Sequence, residues 1–177
     1  MSKGFDFYRI KMAFKDEAEN GAIVPVKTED LVMATGYTEA EKIAYKLMEG
    51  KDRYGDVNYE ITKTKIKEVV YNNTFLTDEE LMCGLISYYF EEPEDTEVGL
   101  YAVAAIVCFM DEKSGKVKPQ KETFYIPAES PNQAIEYTNQ FIREAYSTCD
   151  SFTIRNVKYD KAQSVMVTPE IHQANVR

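Results

Sequence analysis

The sequence predicts an α+β fold: two β-β-α-β repeats with pseudo-two-fold symmetry, an antiparallel-rich sheet, and helices on one face. Three observations predict it. Residues 7–71 and 100–166 pass through the same order of apolar and polar stretches. After the first turn of each stretch, matched residues keep an offset of 94: Pro25/Pro119, Lys27/Lys121, Val32/Ile126, Ala34/Ala128 and Ala40/Ala134. The strand-like runs alternate apolar with polar residues, so each needs cover on one side only, which helices supply.

The first strand is expected over 5–15, where Ile10, Met12 and Phe14 alternate with Arg9, Lys11 and Ala13. Asn20-Gly21 is a hairpin-turn pair, so a second strand should return over 22–34. A helix follows from Tyr37, with Gly36 as N-cap and an apolar stripe of Ala40, Ile43, Ala44, Leu47 and Met48. Gly50 stands where a helix commonly ends. A third alternating run covers 57–71.

The second repeat opens with the apolar run 100–109 and turns at Lys113-Ser114-Gly115. Its helix is signalled by Ser130-Pro131-Asn132-Gln133: an N-cap, a proline at N1 and a glutamine at N3. The expected stripe is Ala134, Tyr137, Phe141, Ile142 and Ala145, and the last strand covers 151–159. Between the repeats, Thr77 and Glu80 form a capping-box pair, which predicts a short helix over 78–89. The expected organisation is therefore a repeat over 5–72, a helical insertion and acidic connector over 73–98, a repeat over 99–167 and a polar tail over 168–177.

A formal charge of −9 (30 acids, 21 bases) repels a phosphate backbone, opposing non-specific nucleic-acid binding and favouring solubility. No apolar run approaches the ~18 residues needed to cross a bilayer. The start of the chain has no apolar core of a secretory leader, and three widely spaced cysteines suit a reducing compartment, so a cytoplasmic location is expected.

The segments Glu19-Asn20-Gly21, Leu31-Val-Met-Ala34, Thr38-Glu-Ala-Glu41, Leu100-Tyr101 and Met110-Asp-Glu-Lys-Ser-Gly-Lys116 carry a resemblance that covers most of residues 6–160. Together they resemble an uncharacterised family of Bacteroides-type bacteria and their phages, built from a duplicated β-β-α-β unit. The resemblance implies a phage or mobile-element setting and no particular activity. The chain departs from the pattern where the family opens its strands with Trp-Tyr or Trp-Phe and then Cys-Lys-Val. Here those positions read Phe7-Tyr8-Arg9-Ile10 and Leu100-Tyr101-Ala102-Val103, and the 77–90 segment looks inserted.

The sequence offers no catalytic constellation. His172 is the sole histidine, and there is no Cys-x-x-Cys, His-Glu-x-x-His or glycine-rich phosphate loop, so no cofactor or metal is expected. The duplication supplies sharper candidates. Lys27 and Lys121 are matched, as are Lys65 and Lys158 at an offset of 93, and such pairs can hold an anion. Tyr8 and Tyr101 are matched and could stack on a base. These residues also have plain structural roles, as solvated strand lysines and core-edge tyrosines. The leading expectation is a non-catalytic protein that sequesters a small anionic or nucleotide-like host molecule, between repeats or between protomers of a homo-oligomer. The alternatives are an interaction module acting through sheet edges and the 77–90 helix, and an enzyme acting on a nucleotide.

Overall fold

The computed structural model describes residues 4–70, 79–90, 98–146 and 149–171. The chain is α+β and mostly strand, divided into two compact units whose segments interleave. The first unit runs to Thr64 and resumes with residues 77–89 and again from Ala162; the second begins at Lys65 and runs again from Phe90 to Lys161.

In the first unit, β1 (Asp6–Glu17) and β2 (Ile23–Ala34) form a hairpin twelve residues long on each side, turned through Asn20-Gly21 as the sequence predicts. The Asn20 side chain accepts from the Ala22 N–H at 3.0 Å, fixing the turn. Then come α1 (Tyr37–Met48) and β3 (Asn58–Lys63), which pairs antiparallel with β1. Tyr8, Ile10, Met12 and Phe14 of β1 pack with Ala40, Ile43, Ala44 and Leu47 of α1 in one core. The helix thus buries the stripe read from its spacing, with Met48 at its margin.

The expected third strand over 57–71 is corrected here. It stops at Lys63, and the chain leaves this sheet. Its continuation, β4 (Glu68–Val69), lies in the other sheet, parallel to β8 (Val117–Ala128). Only residues 64–67 separate β3 from β4. A parallel strand within one sheet needs a crossover of roughly a dozen residues, so so short a link cannot return β4 beside β2. The same limit applies after β9 (Ser151–Asp160), where residues 161–163 lead to β10 (Ser164–Val167). β10 joins the first unit's sheet, parallel to β2. The compact units therefore end elsewhere than the expected repeats 5–72 and 99–167, because each third strand is followed by a strand belonging to the other sheet.

The helix expected over 78–89 is also corrected. The chain there forms β5 (Glu79–Met82) and β6 (Leu85–Tyr89), an antiparallel hairpin. Cys83 and Gly84 make its two-residue turn, both at positive φ (52° and 76°). That is the backbone of a type I′ turn, which glycine tolerates and which matches strand twist. It outweighs the helix-start signal at Thr77, a residue outside those described, as are the acidic connector 91–97 and His172. β6 pairs with β10, completing the order β3-β1-β2-β10-β6-β5.

In the second unit, β7 (Gly99–Met110) and β8 form a hairpin of the same length, α2 (Pro131–Ala145) follows, and β9 pairs with β7. Its sheet order is β4-β8-β7-β9. The predicted cap is present: Ser130 Oγ accepts from the Gln133 N–H at 3.1 Å, while Gln133 Oε1 accepts from the Glu129 N–H at 2.7 Å. Ala134, Thr138 and Ile142 are the buried helix positions, and Ala134 and Ile142 pack with Val103, Phe124 and Ile126. Ala145, expected in the stripe, is exposed; Thr138 takes a place in it by donating its hydroxyl to the Ala134 carbonyl at 2.8 Å. Among the described residues, no helix is long and apolar enough to cross a membrane.

Candidate functional site

Strand alternation divides the first unit's sheet into two faces. Tyr8, Ile10, Met12 and Phe14 point to α1, so Arg9, Lys11 and Ala13 point to the opposite face. Register then decides what meets on that face. Ala13 lies between Lys27 of β2 and Asn58 of β3; Lys11 lies between Glu29 and Glu60. With only a methyl group at its centre, this part of the sheet forms a groove of about 360 Å³ lined by Lys11, Ala13, Lys27, Glu29, Asn58 and Glu60.

The electrostatics of the groove are uneven. Glu29 is held by Arg9, with Nη1 donating to Oε1 at 3.1 Å, and both side chains are partly buried. Lys11 shares its rung with two glutamates. Lys27 shares its rung only with Ala13 and Asn58, so no carboxylate stands on either side of it in the ladder. Its exposed ammonium and the Asn58 amide can both donate to an anion, and Glu60 can accept from a hydroxyl or amine.

The strand beneath Asn58 is braced from behind. The Tyr59 hydroxyl donates to Glu41 Oε2 of α1 at 3.2 Å and lies 3.4 Å from the Tyr45 hydroxyl. The Tyr45 contact first, then burial and the Glu41 carboxylate, push the Tyr59 phenol up to about 12.

The other sequence candidates are scattered. Lys121 is exposed on β8 opposite Ile106, a residue that fills the place Ala13 leaves open. Lys158 is exposed on β9 opposite Ala102. Lys65 lies past the end of β3, outside the ladder, so it shares no equivalent rung with Lys158. Tyr8 and Tyr101 are 3% and 4% exposed, each inside its own unit's core. Their rings meet Tyr37 and Tyr159 edge-on at 5.1 and 6.0 Å, which makes them packing groups rather than stacking platforms.

Sequence reasoning missed Lys11, Asn58 and Glu60 as site residues, because only register brings them beside Lys27. It also missed Asp30, 1% exposed on the α1 side of β2. A signal for Asp30 existed: the residue 94 positions on is Phe124, itself fully buried.

A family profile described as Domain of unknown function (DUF4494) matches residues 6–168, nearly the whole chain. The chain belongs to this family. No curated protein matches it. Membership of DUF4494 carries no activity to this chain, so the groove must be judged by its own chemistry.

Proposed function

We propose that this DUF4494 chain is a duplicated β-β-α-β protein that binds, without catalysis, a small anionic or nucleotide-like molecule. The first-unit groove around Lys27 is its site. One observation carries the reading: on a chain of net charge −9, Lys27 sits over a small-residue depression with no carboxylate on its rung. The anionic group would lie against Lys27 and Asn58, and a hydroxyl or amine of the same molecule against Glu60. The duplication is supported by the offset of 94 and by the same element order in each copy. The phage or mobile-element setting and the cytoplasmic location rest on the sequence alone. A small ligand of this kind makes the chain a sequestering protein for a host molecule.

A thermal-shift screen with inorganic phosphate, nucleoside monophosphates and cyclic nucleotides tests the reading. A stabilised melting transition that disappears in Lys27→Ala, with ligand recovered unaltered, is the expected result. No shift with any of these probes would sink it, and turnover of the probe would favour an enzyme instead.

A second reading, a protein-interaction module, is favoured by β9. This ten-residue strand is at a sheet edge, with β7 its ladder neighbour. Against it, the ladder is broken by a bulge at Ala104/Ala105, a device that blunts edges. Light scattering and a pull-down would separate the readings: a homo-oligomer or a single captured protein, without small-molecule binding, supports the module.

A further inference from the structure

β10 is a short strand with a flat pattern. Val165, Met166 and Val167 are all fully buried, so apolar side chains fill both of its faces. A one-residue slip exposes the apolar set of a strand whose other face is polar, whereas in a strand apolar on both faces it exchanges one apolar set for another. Its parallel ladder with β2 has three rungs: Ser164 on Asp30, Val165 on Leu31 and Met166 on Val32. A slip of one residue would place Val165 or Gln163 opposite Asp30 and a slip of two Met166 or Ala162, and the apolar slips would still bury apolar groups.

On the β2 side of β10, what distinguishes the observed register is polar; on its other side four rungs to β6 also hold the strand. The Ser164 hydroxyl donates to Asp30 Oδ1 at 2.5 Å, and Gln163 Nε2 lies 3.2 and 3.4 Å from the two carboxylate oxygens. The Gln163 N–H also donates to the Glu29 carbonyl at 2.8 Å. Both side-chain donors come from the entry of β10, and every slip moves Ser164 off the Asp30 rung. A buried carboxylate left without donors is strongly disfavoured, so a slip that loses Ser164 is penalised at Asp30, least where Gln163 takes its place. In general a buried ionisable group does little for stability compared with apolar filling, and its best-attested use is to fix register. The fully buried Phe124, at the matched position, shows that such a site accepts apolar filling.

We propose that Asp30 is a register pin: by accepting from Ser164 and Gln163 together, it selects one docking of β10 on β2 among otherwise similar ones. The proposal is independent of the Lys27 groove, since Asp30 lies on the opposite face of β2.

The test uses the full chain with Cys83, Cys108 and Cys149 changed to serine, and cysteines introduced at Leu31 with either Val165 or Val167. Peptide mapping after mild oxidation should find the 31–165 bridge and no 31–167 bridge. Asp30→Leu should make the 31–167 bridge appear. Ser164→Ala, a milder change, should speed hydrogen exchange of the 165–167 amides by about tenfold relative to those of β1, the effect of losing one charge-assisted bond. If Asp30→Leu does not fold, Ser164→Ala and Gln163→Ala carry the same exchange readout. Unchanged exchange in those two variants, or a 31–165 bridge alone in a folded Asp30→Leu chain, would overturn the pin.

Discussion

The two units spend matched positions differently. At the offset of 94, the first has Asp30 where the second has Phe124; its rung at Lys27 holds Ala13 where the rung at Lys121 holds Ile106. Its helix begins at Gly36, with no side-chain cap, where the other begins at Ser130. At these three positions the second unit fills or caps where the first leaves an opening or a polar group, and the proposed site lies in the first.

The largest break in that comparison is Phe124→Ala. Phe124 is fully buried and meets the Phe141 ring edge-on at 5.5 Å, so truncation should cost ~3–5 kcal/mol, read by urea unfolding. Ser164→Ala should cost ~1–3 kcal/mol, because it removes a donor from the buried Asp30 carboxylate.

Asp30 also makes the first unit pH-sensitive. Burial raises its pKa from 3.8, opposed by Ser164, Gln163 and the charge of Lys51. The folded state therefore holds the proton more tightly than the unfolded state. This contribution to stability is fully present below 3.8 and is lost as pH rises through the raised folded value. Measured by urea unfolding, the difference between wild type and Asp30→Asn should shift toward wild type on acidification. A difference constant with pH would contradict the burial argument.

Smaller still is the cap comparison. Ser130→Ala should cost ~1 kcal/mol, while Gly36→Ser should gain a few tenths, since an added Cβ there meets nothing within 4 Å. Thermal melts of the two variants check both signs.

Legibility followed the range of the interactions. Both long hairpins, both helix starts and most of both stripes could be read in advance, because Asn20-Gly21, Ser130-Pro131 and the apolar spacing act within a few residues. The destinations of β4 and β10 could not. Past Ile61 the apolar residues change parity, with Ile66 next, a break that the strand-like run to Tyr71 masks. The length of the links 64–67 and 161–163 shows that the next strand must join another sheet. The 79–89 hairpin was hidden by a helix-start signal at Thr77, although Cys83-Gly84 was the stronger local feature. At the site, Lys27 was legible from the repeat, but its neighbours Lys11 and Asn58 come from two other strands. Asp30 was legible in principle, as a carboxylate aligned with a phenylalanine, a contrast visible only when the copies are compared for their differences.

The central claim is that the working face belongs to one unit. Isothermal titration with the best probe from the thermal-shift screen tests it most directly, comparing wild type, Lys27→Ala and Lys121→Ala. One site per chain is expected, weakened at least tenfold by Lys27→Ala, the loss expected for one charge-assisted hydrogen bond, and unchanged by Lys121→Ala. Two equal sites per chain, or equal losses in the two variants, would contradict it.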